Sequence, residues 1–158
     1  MAKIKRKGER TLISREYRGP IEELPLKEYS KDLKKWGKKK KAKPHGKPVL
    51  FYYHPFDEID EEKFRIDVAK PIKRLRKAGD GYKLKFLPHM KVAAKNFKGT
   101  PSEYAKVYEE LYDWIEKKEY KPFGNRMEVV KKFPKDDKDE FKIKSQIQIP
   151  VEKSKKKR

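Results

Sequence analysis

The segment FKGTPSEYAKVYEELYDWIEKKE, residues 97–119, contains the start, the body and the buried face of one helix. Thr100 is placed to cap it, Pro101 suits its first turn, and Glu103, three positions on, completes a capping box. Tyr104, Val107, Tyr108, Leu111 and Ile115 then recur at intervals of three or four, which puts apolar groups along one side. A helix of this kind must pack that side against something else.

Working outward, the first half of the chain repeats the plan. LPLKEYSKDLKKWG, residues 24–37, carries Leu26, Tyr29, Leu33 and Trp36 at helical spacing, with Gly37 where a C-cap belongs. Tyr17-Arg18-Gly19 corresponds to Phe97-Lys98-Gly99, and each triplet leads into a helix with a tryptophan, Trp36 or Trp114. Beyond the helices, Pro44 and Gly46 correspond to Pro122 and Gly124, His54-Pro55 to Phe133-Pro134, and Pro71 to Pro150. Ordered matches at offsets of 78 to 80 indicate a duplicated unit of about 70 residues. Period-two alternation marks strands in FRIDVA (64–69), YKLKFL (82–87) and FKIKSQIQIPV (141–151), the last with Phe141, Ile143, Ile147 and Ile149 on one side. Shorter extended segments are expected at LISREY (12–17), VLFYYH (49–54), KVAAKNF (91–97) and MEVVKKF (127–133). The expected class is α+β, with tandem modules at about 11–78 and 79–151.

Of the 158 residues, 44% are charged and 35% hydrophobic, but the 12% aromatic content falls in periodic segments and argues for a folded core. The net charge of +20 is concentrated: residues 1–10 and 152–158 contribute +4 each, and 34–47 hold eight lysines and no acid. We therefore expect a basic N-terminal tail (1–10) and a basic C-terminal tail (152–158) around a domain (11–151) that is nearly balanced outside the lysine run at 34–47, with weak nucleic-acid or acidic-protein contact through the lysines. The absence of cysteine excludes disulfides and thiolate chemistry. No apolar run spans a bilayer and the first ten residues lack a signal peptide's apolar middle, so a cytoplasmic location without membrane contact is expected. His45, His54 and His89 are too scattered for a metal site, and no phosphate-binding loop, nucleotide fingerprint or Ser/His/Asp order occurs, so no metal or cofactor is expected.

The run from Phe97 to Pro134, followed by KSQIQIPV, resembles the GyrI-like small-molecule-binding domain, the family that includes effector domains of multidrug-sensing transcription activators. Gly99, Gly124, Glu128 and IQIPV (147–151) fall on the family's positions. Val130 replaces a usual tyrosine, Phe133 a common aspartate before Pro134, and Ser145 a frequent acid in the closing strand. The resemblance implies two β-α-β-β modules related by a pseudo-twofold, with antiparallel sheets forming a cleft and helices at their outer faces.

The resemblance directs attention to Glu128. In a strand, Glu128 and Val130 share one side and Met127 and Val129 the other, so the carboxylate has an apolar neighbour. On a cleft-facing side it would attract a lipophilic cation far better than in water, and aromatic faces would add cation–π attraction of about 0.5–2 kcal/mol each. The ligand-binding candidates are Glu128, Tyr17, Tyr52, Phe97, Tyr104, Tyr108 and Val130, for amphipathic, aromatic or cationic small molecules. Two other classes remain open. Relatives that hydrolyse strained cyclopropane-bearing toxins imply Glu128 as general base and Tyr52 as proton donor. The gyrase-inhibiting relative implies a protein or nucleic-acid partner held by the lysine tails. The two modules leave no room for a helix-turn-helix, so a stand-alone binder is expected rather than a complete regulator.

Overall fold

The computed structural model describes residues 2–54, 61–79, 81–133 and 143–154. Pro55, Pro134, Phe141 and the end of the basic C-terminal tail, residues 155–158, lie outside them. The first half contributes β1 (Lys3–Lys7), β2 (Arg10–Arg18), α1 (Leu26–Lys39), β3 (Val49–Tyr52) and β4 (Arg65–Ile72). The second contributes β5 (Lys83–Leu87), β6 (Met90–Gly99), α2 (Tyr104–Lys117), β7 (Tyr120–Pro122), β8 (Arg126–Lys132) and β9 (Ile143–Lys153).

The strands form one nine-stranded sheet in the order β1-β6-β9-β8-β3-β4-β2-β5, with β7 paired to β9 outside this path. Exchanging the two halves reverses the order onto itself, which is the pseudo-twofold the repeat implies. The exchange is intimate: β1 pairs with β6 and β5 with β2, so each half lends its first strand to the other. The halves were expected as separate sheets, but β3 pairs with β8 and joins them. The physical reason is that both strands are largely buried, and unpaired backbone donors and acceptors there would have neither water nor a partner.

Residues 3–7, expected within a basic tail, instead form β1, with Ile4 opposite Ala93 and packed at the margin of the core. One apolar residue among four cations gives almost no periodic signal, and the pairing strand lies some 85 residues away, so only the fold reveals it. At the other end, Glu152 and Lys153 continue β9 and pair with Lys121 and Tyr120.

Alternation divides the sheet residues between two faces. Ile13, Leu50, Tyr52, Ile66, Val68, Phe97, Val130 and Ile147 face both helices in the larger core. Leu12, Val49, Phe51, Ala69, Val92, Ala94 and Met127 make a smaller cluster on the opposite face. Both helices thus lie on one face of one sheet, not on the outer faces of two. α2 buries Tyr104, Tyr108, Leu111 and Ile115, and α1 buries Leu26, Leu33, Trp36 and Gly37.

Gly37 is not the expected C-cap, because α1 runs on to Lys39. It is small for packing: a Cβ there would sit 2.7 Å from Pro44 Cγ. The helix instead ends with Lys41 in the left-handed region (φ 57°), and α2 ends the same way 78 residues later at Glu119 (φ 62°). Gly99 has a similar packing reason. A Cβ there would lie 1.9 Å from Glu103 Oε2, whose carboxylate accepts the Thr100 N–H at 2.7 Å in the half of the capping box that forms. Among the described residues no helix is long and apolar enough to cross a membrane.

Candidate ligand site at Glu128

Glu128 sits on β8 directly opposite Leu50 of β3, at the seam between the halves, and is 0% exposed. Its face of the sheet lies beneath α2. Three hydroxyls converge on it: Tyr52 donates to Oε1, Ser145 donates to Oε2, and Tyr104 lies 3.0 Å from Oε1 and 2.9 Å from Oε2. Tyr52 arrives from β3, Ser145 from β9 as a diagonal neighbour on the same face, and Tyr104 from the first turn of α2.

Aromatic rings enclose this group. Phe97 stacks on Tyr104 with centroids 4.7 Å apart and planes at 27°. Tyr52 and Tyr108 lie 6.2 and 6.1 Å from Tyr104, and Phe64 lies 6.4 Å from Tyr52. The Arg126 guanidinium lies over the rings of Tyr108 and Tyr52, at 5.2 and 5.8 Å, and donates to the His54 carbonyl.

Burial pushes the Glu128 carboxyl above its ordinary range, and the Ser145, Tyr52 and Tyr104 hydroxyls only partly offset it. Burial, then the charge of Glu128, raises Tyr52, Tyr104 and Tyr108 well above the usual phenol value, so they remain protonated donors. The other buried acid behaves oppositely. Asp67, 1% exposed on the opposite face, meets Arg65 at 3.0 Å, Lys85 at 2.9 Å and the Tyr53 hydroxyl at 2.9 Å. Burial alone would raise it, but hydrogen bonds from Arg65 and Lys85 and the charge of Lys85 carry it below the usual carboxylate range. Asp67 is therefore neutralised internally. Glu128 has only neutral hydroxyl donors and makes no ion pair among the described residues.

Of the residues singled out in the sequence, the structure brings Glu128, Tyr52, Tyr104, Phe97 and Tyr108 together. Val130 shares Glu128's side of β8, 2% exposed, and its N–H donates to the Pro48 carbonyl at 2.9 Å. Tyr17 makes its contacts elsewhere, donating to the Pro20 carbonyl at 2.6 Å and meeting Tyr29 edge-on at 6.2 Å. It is the pseudo-symmetric counterpart of Phe97, on the side of α1. Sequence reasoning noted Ser145 only as a departure from an acidic position and did not single out Phe64 or Arg126. The signal for Ser145 was available, since a serine among alternating isoleucines of a buried strand needs a hydrogen-bond partner. His54 accepts the Arg65 N–H at 3.3 Å, while His45 borders a cavity at the end of the sheet and His89 lies beside Gly8. Cavities of about 550 and 300 Å³ occur elsewhere, and neither is lined by Glu128.

Among curated proteins none matches the sequence. Solved structures share the fold. The C-terminal domain of EcmrR superposes with a TM-score of 0.67 at 19% identity, covering 97% of this chain and 98% of that domain. Against EcmrR in its complex with DNA the TM-score is 0.65, and this chain spans only 57% of that protein. A hydrolase encoded by lin2189 from Listeria innocua matches at a TM-score of 0.68 and 9% identity, over 96% of this chain and 91% of that one. SAV2435, solved bound to tetraphenylphosphonium, matches at 0.51 and 13%, over 96% and 94%. At these identities the likeness is one of fold. Residues 2–152 match the family model described as the GyrI-like small molecule binding domain. With nearly its whole length accounted for by that match and by the duplicated, seam-centred sheet, the chain belongs to the GyrI-like family of small-molecule-binding domains.

Proposed function

We propose that this domain binds lipophilic, aromatic cations at the aromatic cluster around Glu128. The observation that carries the reading is a fully buried carboxylate with no cationic partner among the described residues, in a molecule whose other buried acid has two. An uncompensated buried charge is costly, and a bound cation would remove that cost while leaving hydroxyl donors to orient the carboxylate. The faces of Tyr52 and Tyr108 already interact with the Arg126 guanidinium, which supports their use by a ligand cation. The tetraphenylphosphonium complex of the fold neighbour SAV2435 suggests a probe. Titration with tetraphenylphosphonium should give saturable quenching of the aromatic fluorescence. A flat titration at millimolar concentrations would reject the reading.

A second reading rests on the direct hydrogen bond between Tyr52 and Glu128. The raised carboxyl makes a stronger base and the raised phenol stays protonated, the pair a ring-opening hydrolysis needs. Glu128 would take a proton from water as its oxygen attacks a strained-ring carbon. The C–C bond would break, and Tyr52 would protonate the departing carbon. Turnover of a cyclopropane-bearing electrophile, abolished in Glu128→Gln and in Tyr52→Phe, would establish it. Binding without turnover would leave the domain a receptor.

A further inference from the structure

Away from Glu128, next to the β5 edge of the sheet, the half-buried Arg10 holds two donors that no group among the described residues accepts. Arg10 begins β2 opposite Leu87 of β5, and its Nε and Nη2 are both shut off from solvent without a hydrogen-bond partner. These two N–H groups form the side-on edge of the guanidinium, which grips two coplanar oxygens at once. The same molecule shows that edge in use: Arg65 donates through Nε to Oδ1 and through Nη2 to Oδ2 of Asp67, both at 3.0 Å. Burial with nothing to accept these protons pushes the Arg10 guanidinium below its ordinary value. Leaving charged donors buried and unsatisfied is costly, so the arrangement calls for an acceptor.

Arg10 borders a cavity of about 550 Å³ where β2 begins and β4 and β5 end. That volume suits a small organic ligand. Its apolar wall includes Pro71, Ile72 and Phe86, with Phe86 63% exposed, while Thr11 and His45 supply polar groups. The local field is positive, since burial and then the charges of Lys73 and Lys70 push His45 down. Glu9 also borders the cavity but forms no ion pair with Arg10.

We propose that this cavity is a second ligand site, for amphiphiles bearing a carboxylate that Arg10 grips through Nε and Nη2 while the apolar body lies along Pro71, Ile72 and Phe86. Because Nε and Nη2 are shut off from solvent, binding requires the outer side-chain torsions of Arg10 to turn the fork toward the cavity. The site is opposite in charge preference to the one at Glu128 and does not depend on it.

The test uses the intact chain, with 4-biphenylcarboxylate and its uncharged amide followed by calorimetry or NMR titration. Arg10→Met should weaken the carboxylate by about tenfold or more and leave the amide unchanged. Glu128→Gln should leave the carboxylate affinity unaltered. Equal carboxylate affinity in Arg10→Met, or a loss seen in Glu128→Gln instead, overturns the assignment. Should Arg10→Met fail to fold, the Arg10 Nε–H resonance of the unaltered protein decides. It must shift as the carboxylate saturates, and an unmoved resonance overturns the site.

Discussion

Replacing Glu128 by Gln tests the central claim because it keeps the shape of the side chain and removes its charge. Both oxygens of the carboxylate are held by Tyr52, Tyr104 and Ser145, so it cannot swing away, and the residue is 0% exposed. A ligand cation centred about 5–6 Å away would gain about 3 kcal/mol at an effective dielectric constant of about 20. Removing that attraction lowers affinity about a hundredfold. The assay is fluorescence titration of the wild type and Glu128→Gln with tetraphenylphosphonium and with uncharged triphenylphosphine oxide. The phosphonium should lose about two orders of magnitude in the variant, while the oxide changes little. Because burial raises the Glu128 carboxyl, phosphonium affinity of the wild type should also fall as pH drops through that raised value, and the variant should show no such fall. Equal phosphonium affinity in both proteins, or equal losses for both ligands, would refute the electrostatic argument.

Other perturbations separate structure from binding. Asp67→Asn leaves Arg65 and Lys85 without their shared buried acid and should destabilise the fold by about 3 kcal/mol in denaturant unfolding, without altering phosphonium affinity. The folded pKa of Glu128 is raised from 4.5, so its contribution to stability is full below pH 4.5 and is lost as pH rises through the folded value. Stability of the wild type relative to Glu128→Gln should therefore decline with rising pH in that window, and a constant difference would contradict the shift. Gly37→Ala should cost about 1–3 kcal/mol by driving a methyl into Pro44, whereas a helix-stabilising effect would mean that the proline moves freely. Arg126→Gln removes a resident cation from the rings of Tyr52 and Tyr108 and should tighten phosphonium binding by about 0.5–1 kcal/mol, read as a several-fold fall in Kd.

Much of the architecture could be read locally. The two helices, seven of the nine strands and the duplication depend on spacing along the chain, and local spacing expresses local forces: side-chain period, capping and turn chemistry. The two strands not anticipated have specific reasons. β1 is a run of cations around Ile4 whose stability comes from pairing with β6, and β7 is three residues long. Gly37 shows the limit of a local rule, since glycine after a tryptophan reads as a helix end but answers to the ring of Pro44.

For the site, the sequence by itself determined which groups could matter: one acid in an apolar strand, and tyrosines and a phenylalanine at periodic positions near it. The tertiary structure alone decided which of them meet. Tyr52 and Glu128 are 76 residues apart and touch because β3 pairs with β8. Ser145 joins them through β9, and Phe97 stacks on Tyr104, whereas Tyr17, the counterpart of Phe97 in the other half, makes its contacts elsewhere. Only the fold shows that Asp67 has cationic partners while Glu128 has none among the described residues. Whether a carboxylate is neutralised depends on which charges lie within a few ångströms in a low-dielectric interior. Those distances are set by packing between segments remote in the chain, a quantity that spacing along the sequence does not carry.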